Sequence, residues 1–321
     1  MTRHGCFAAL AIGLLGFTDA GAGEIFRKVG TAGAQFLKIG PGARAVGMGE
    51  AFVAVADDAS AIWWNPAGVA RITQNGESRM TFNHSTWPAD ISHEFVGYAF
   101  TYRGLPGAWA VSSTVLQMDP IPFRDPYNPD GTGQNFDAGS FNLAVTWARN
   151  LIERFAFGIS AKYVHEGLEN ENADGFVVDF GTLYYTDFRT IRIGMAIQSL
   201  GPSLTFIDQS YPMPTMFKVG TAMDVYQSEN HNVLAAFQFD HPADNAERAN
   251  LGGEYTLKTF QPNVTLQGRG GYRYNRDEEG LTGGFGVEFP TGSASWMRVD
   301  YAYSDMKTFD ATHKFSAELR F

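Results

Sequence analysis

The chain has 321 residues, a net charge of -10, 14% aromatic residues, 36 glycines and one cysteine. Its acidity argues against nucleic acid as a partner, because phosphate binding needs basic patches. The lone cysteine, Cys6, leaves no pair for a disulfide, and no apolar run after residue 17 is long enough for a helical membrane span.

At the start of the chain, Arg3 and His4 precede an apolar run from Cys6 to Phe17, and Ala20-Gly21-Ala22 supplies small residues for cleavage. This pattern predicts a Sec signal peptide over residues 1–22, with the mature chain beginning near Gly23. A membrane anchor fits less well, since the run is shorter than the ~20 residues a spanning helix needs. Residues 23–77 are rich in Gly and Ala, with short apolar stretches and turn signals. They predict a short, partly helical plug rather than a free periplasmic tail, whose composition would be less apolar.

From residue 78 the period is two. Val96, Tyr98, Phe100 and Tyr102 alternate with Gly97, Ala99, Thr101 and Arg103. Phe141 to Trp147, Ile191 to Ile197 and Met297 to Tyr303 repeat the pattern, as does the final strand, with Phe315, Ala317, Leu319 and Phe321 on one side. About fourteen such segments occur, each able to supply the ~9–11 residues of a tilted membrane strand. The expected fold is therefore an all-β membrane protein: a closed antiparallel transmembrane β-barrel of about 14 strands over residues 78–321, with the plug in its lumen. With Phe321 in the periplasm, the short connections at 104–107, 187–190 and 290–295 fall on the periplasmic side. The longer ones at 119–139, 166–174, 201–214, 240–247 and 275–280 fall outside.

The segment from Gly42 to Gly68 contains Gly42-Ala43-Arg44, Gly47-Met48-Gly49, Asp57-Asp58 and Ala61-Ile62-Trp63-Trp64-Asn65-Pro66-Ala67-Gly68. Further along come Val178-Asp179-Phe180-Gly181, Ala196-Ile197-Gln198-Ser199-Leu200-Gly201-Pro202, Arg269-Gly270-Gly271-Tyr272-Arg273 and Val299-Asp300-Tyr301-Ala302-Tyr303-Ser304. In this order, these blocks resemble the PorV/PorQ family, which is similar to the FadL-type fourteen-stranded outer-membrane barrels. Glu50 departs from the pattern, standing where a glycine is expected.

The resemblance implies a bacterial outer-membrane location after Sec export, with lipid and lipopolysaccharide around the barrel. It also implies insertion by the barrel-insertion machinery, with the final strand ending at Phe321 as its signal. The implied function is non-enzymatic. Members linked to type IX secretion bind secreted cargo at the cell surface and pass it between secretion-system proteins, so the cargo's C-terminal β-domain would meet the extracellular loops. The alternative is a FadL-like channel for hydrophobic small molecules; a purely structural barrel is a third reading.

Candidate residues follow from chemistry. Gly42, Gly47 and Gly49 allow close backbone approach or positive φ, and Gly68 ends the plug motif. No strand–helix–strand unit surrounds them, which speaks against nucleotide binding. Asp58 is placed to cap a helix over 59–64, and Asn65 to cap one that begins at Pro66. Trp63 and Trp64 are expected to wedge against the wall, and Arg44, Asp57 and Asp58 to pair with inward charges. Alternation turns Arg269, Arg273, Glu288, Arg298 and Asp300 inward, where they read as a salt-bridged lumen more readily than as a solute pathway. Tyr127, Phe136, Phe206 and Tyr211 are loop aromatics suited either to cargo anchoring or to packing over the mouth. No catalytic, cofactor or metal site is expected. His84, Ser85 and His93 lack the marks of a hydrolase triad, and the oxygen-rich run 125–135 lacks calcium-loop spacing.

Overall fold

A computed structural model describes residues 30–169, 171–259, 263–292 and 294–321. The expected signal peptide at 1–22 lies outside the described residues. In chain order the strands are β1 (Arg79–Trp87), β2 (Ile91–Thr101), β3 (Ala108–Gln117), β4 (Ile121–Pro122), β5 (Asn135–Phe136), β6 (Ala138–Ile152), β7 (Phe155–Leu168), β8 (Glu171–Tyr185) and β9 (Arg192–Leu200). There follow β10 (Leu204–Phe206), β11 (Gln209–Tyr211), β12 (Met216–Gln227), β13 (His231–Pro242), β14 (Arg248–Lys258), β15 (Thr265–Tyr274), β16 (Glu279–Pro290), β17 (Trp296–Met306) and β18 (Thr312–Arg320).

The pairs β4–β5 and β10–β11 are small hairpins within loops, and the other fourteen strands form one closed barrel. Each pairs antiparallel with its neighbours. The ring closes where β1 meets β18, from Arg79 opposite Arg320 to Thr86 opposite His313. Ser78 and Phe321 exchange backbone hydrogen bonds just beyond that seam (2.8 and 3.0 Å). Closure satisfies the backbone donors and acceptors that hydrocarbon could not.

The period-two pattern sorts the side chains as expected. Leu143, Val145, Met195, Ile197, Leu251, Phe285, Val299 and Phe315 stand exposed on the outside. Asn142, Ala144, Thr146, Ala196, Gln198, Asp300 and Ala302 are buried within. The core is therefore inside the cylinder, where Gly30–Glu77 packs as three short helices, α1 (Ala43–Gly47), α2 (Ala61–Trp64) and α3 (Val69–Ile72), with 3-10 turns around them. Both chain ends of the barrel lie at one end, here the turn end; the other, the loop end, carries the two long connections between β3 and β6 and between β9 and β12. The remaining connections of the loop end, including those expected to be long at 240–247 and 275–280, are as short as the turns because the strands extend into them.

Two expectations change in detail. The connection at 166–174 is not an extended loop: β7 and β8 run through it in register, with Leu168 opposite Glu171. Its polar residues extend the ladder beyond the apolar band, so their composition resembles that of a loop. The long connection 201–214 folds back, burying Leu204 and Met213 against Val164, Ala173 and Val177 of the β7–β8 hairpin and Phe36 and Leu37 of the plug.

If the outward face of β6 meets lipid, Val145→Arg should cost about 2–4 kcal/mol of folding stability. The measurement is urea unfolding from lipid vesicles, and an unchanged midpoint would place this face out of the membrane.

Candidate functional site

The plug approaches the wall closely because glycines on both sides allow it. Gly158 of β7 stands opposite Gly181 of β8, Gly194 of β9 opposite Gly220 of β12, and Gly252 of β14 opposite Gly271 of β15. All six face inward, under the plug. A Cβ on Gly158 would collide with Pro66, on Gly181 with Asn65, on Gly194 with Val53, on Gly252 with Met48 and on Gly271 with Gly49. The wall thus has a belt without side chains in which plug backbone sits directly against strand backbone.

Polar contacts then fix the register of the plug. Gln238 of β13 accepts hydrogen bonds from the N–H groups of Phe52 (3.0 Å) and Val53 (2.8 Å). The Asn65 side-chain amide donates to the Val53 (2.8 Å) and Thr182 (3.0 Å) carbonyls, and its oxygen caps the Pro66–Gly68 turn through the Ala67 N–H (3.2 Å). Gln198 donates to the Trp63 carbonyl (2.5 Å). Trp64 donates to the Pro41 carbonyl (2.9 Å) and lies edge-on to Trp63, with the Lys218 ammonium over both rings at 4.7 and 4.5 Å. A Cβ on Gly68 would meet the Ala56 carbonyl, and Gly42 and Gly49 have positive φ.

Charge neutralisation completes the attachment. Arg44 of α1 makes a bidentate pair with Glu254 of β14 (2.8 Å for both bonds), also pairs with Asp57, and reaches Asp58 at 3.1 Å. Glu254 accepts in turn from Arg269 (2.6 Å), and Arg269 reaches Asp300 (2.6 Å). Arg298 of β17 joins Asp300 (2.9 Å), Asp58 (2.8 Å) and Glu318 of β18 (2.6 Å). Arg192 of β9 approaches Asp57 at 3.6 Å. Burial alone would push the Asp58 carboxyl up, but Arg298 and Arg44 outweigh it and hold the group down at about 2.

A second cluster lies nearer the loop end. Glu50 pairs with Arg276 of the 275–278 turn (2.5 Å) and with Arg273 (3.3 Å). Glu50 occupies the left-handed region at φ 64, a conformation costing on the order of 1 kcal/mol for a residue with a side chain. The two guanidiniums explain why a glutamate stands where a glycine would be the relaxed choice. Although burial opposes its ionisation, they hold its carboxyl well below the usual range.

The sequence-derived candidates therefore separate into groups. Arg44, Asp57, Asp58, Arg269, Arg298 and Asp300 meet in one network, while Arg273 belongs to the Glu50 cluster. Glu288 joins neither: it faces Arg320 at 3.7 Å near the turn end, beyond the plug's reach. Asp58 does not cap a helix over 59–64. It binds the Ser60 N–H (2.9 Å) and hydroxyl (2.5 Å), and the helix starts at Ala61.

Of the loop aromatics, Tyr127 is 92% exposed, and Tyr211 is partly exposed with its hydroxyl on Gln209. Phe136 packs on the exposed Phe123 of its own loop, and Phe206 on the buried cluster beneath the mouth. Phe321 lies at the turn end beside Tyr98, with ring centroids 6.3 Å apart. His84 faces outward to Glu94, away from buried His93, and Asp125 spends a carboxylate oxygen on the Tyr127 and Asn128 N–H groups. Sequence reasoning missed Glu254, Gln238, Gln198 and Lys218. Their inward alternation was a usable signal, but the plug residues they meet lie 135 to 210 residues away.

Arg298 holds three carboxylates, so Arg298→Ala should loosen the plug at a cost of about 3–5 kcal/mol and raise single-channel conductance. The glycine belt gives a steric counterpart. Gly271→Leu should also raise conductance, whereas Gly268→Leu, where an added Cβ meets open space, should leave it unchanged. Equal traces from both glycine variants would remove the close-approach argument.

A family profile described as type IX secretion system protein PorV matches residues 24–241. No curated protein matches the chain. Among solved structures, the toluene transporter TodX of Pseudomonas putida superposes with a TM-score of 0.58 at 12% identity, covering 88% of this chain and 97% of that one. The monoaromatic hydrocarbon channel CymD gives 0.57 at 12% identity, covering 88% and 96%. A Pseudomonas aeruginosa FadL homologue gives 0.55 at 10% identity, covering 88% and 98%. At such identities the likeness is one of fold alone. A closed, plugged barrel of FadL-like architecture, matched by that profile over more than half its length, belongs to the PorV family of outer-membrane proteins.

Proposed function

We propose that this barrel is a non-enzymatic component of type IX secretion that receives secreted cargo at its loop end. In this reading residues 1–22 are an export signal, 23–77 the plug and 78–321 the barrel, with the turn end in the periplasm and the loop end outside. The supporting observation is the filled lumen. With plug backbone against wall backbone and their charges neutralised, a macromolecular partner is offered the loop end rather than a pore. The cargo's C-terminal β-domain would meet that surface, where Tyr127 and Tyr211 are exposed enough to serve as anchors.

A second reading rests on a cavity of about 630 Å³ at the loop end, lined by Ile91, Leu116, Met118, Phe206, Ile207 and Tyr211 among others. Its volume and apolar walls suit a hydrophobic small molecule. The hydrocarbon channels of the same fold make this the natural rival. Passage from that cavity would require the plug to move, since the wall itself stays paired. Its register shift near Ser199 is closed by Asp179, which accepts the Ser199 N–H at 2.8 Å.

A tagged pull-down from outer membranes separates the two. Recovery of proteins sharing a C-terminal β-domain, reduced by Tyr127→Ala with Tyr211→Ala, is the outcome expected of cargo binding. Co-purified hydrocarbon or lipid without protein would replace that reading with transport.

A further inference from the structure

Near the loop end of the lumen is a cavity of about 290 Å³, distinct from the apolar one. Lys38 and Ile39 of the plug, Trp87, Arg248, Arg276 and Met306 line it, together with turn residues of 275–279. Most charges around it are matched. Lys38 pairs with Asp244 (2.5 Å), Arg276 with Glu50 and Glu279, and Arg273 with Glu279 (2.9 Å) and Glu50. Asp240 accepts from Gln238 (2.7 Å) and Asn250 (2.8 Å).

Arg248 is the exception. As the first residue of β14 it shares the inward side with Asn250 and Glu254, and among the described residues its guanidinium has neither a carboxylate within ion-pair distance nor a hydrogen-bond partner. Arg248 is half-buried and lines the cavity, whereas both Nη groups of Arg276 are taken by Glu50 and Glu279. Two further acids sit at the rim. Asp277 is exposed, and Glu278 is turned to the Thr308 N–H (3.1 Å). A guanidinium that faces a cavity with no protein acceptor has its donors free, and a carboxylate matches its fork bidentately. A dianion fits less well, because Asp277 and Glu278 would repel the extra charge. Ile39, Trp87 and Met306 contribute apolar surface to the same lining.

We propose that this cavity binds a carboxylate carried on a short apolar stem, with Arg248 holding the carboxylate and Trp87, Ile39 and Met306 holding the stem. The site is separate from the cargo surface and does not depend on it.

The test is calorimetric titration of the detergent-purified full chain with benzoate, using benzamide as the neutral isostere. Benzoate should bind, and benzamide should bind at least about tenfold more weakly, the factor expected when a charge-assisted hydrogen bond is lost. Arg248→Gln should abolish benzoate binding, while Arg248→Lys should retain part of it, with unchanged heat-modifiable gel mobility reporting that each variant is folded. No benzoate binding, equal binding of the two probes, or wild-type affinity in Arg248→Gln would overturn the assignment. A phenylalanine-terminated pentapeptide then distinguishes the sources of the carboxylate. Displacement of benzoate by the free-acid form alone assigns it to a chain terminus, and no displacement assigns it to a small acid.

Discussion

A backbone that crosses hydrocarbon has no water to bond, so every strand must find neighbours on both sides. Fourteen antiparallel strands meet that demand by closing at β1 and β18. Once the ring is closed, its inner face must be filled with protein or water. In this chain the preceding segment fills it with large buried side chains such as Trp64, Phe52, Met48 and Ile62, against which the wall sets Phe95 and Leu183. Otherwise the wall contributes small and polar groups: alanines, threonines, glutamines and a belt of glycines.

Two unlike interactions hold plug to wall, and they do different work. The glycine belt admits backbone at short range and so sets position. The ion network around Arg44, Glu254, Arg298 and Asp58 adds little net stability, because desolvation offsets much of the attraction. Breaking it leaves a buried charge without a partner, so its contribution is to make other plug positions costly. The Glu50 cluster applies the same logic to a strained backbone. A conformation that a glycine would adopt freely is occupied by a residue whose carboxylate is needed between Arg273 and Arg276.

Function is accordingly divided along the barrel axis. The middle of the cylinder is committed to closure. The loop end carries the exposed aromatics, the apolar cavity beneath the folded-back 201–214 segment, and Arg248, which lines the second cavity with no carboxylate partner among the described residues. A partner or ligand that acts here does so without crossing the barrel, unless the plug is displaced first.

Much of this architecture was legible from alternation alone. The strands that cross lipid show period two because each residue faces either hydrocarbon or the lumen, and this holds for Phe141 to Trp147 as for Met297 to Tyr303. Alternation also turned Arg269, Arg298 and Asp300 inward. It failed at 166–174, where the β7–β8 hairpin extends past the apolar band and polar residues no longer distinguish strand from loop. It could not separate Phe206 and Phe136, which pack, from Tyr127, which is exposed. By itself, then, the sequence determined the membrane barrel, its strand number and which charges face the lumen, since all three follow from local period and composition. Only the tertiary structure decided which charges meet, why Glu50 replaces a glycine and why Arg248 is left alone. Those facts depend on distances between strands far apart in the chain, and local pattern carries no record of them.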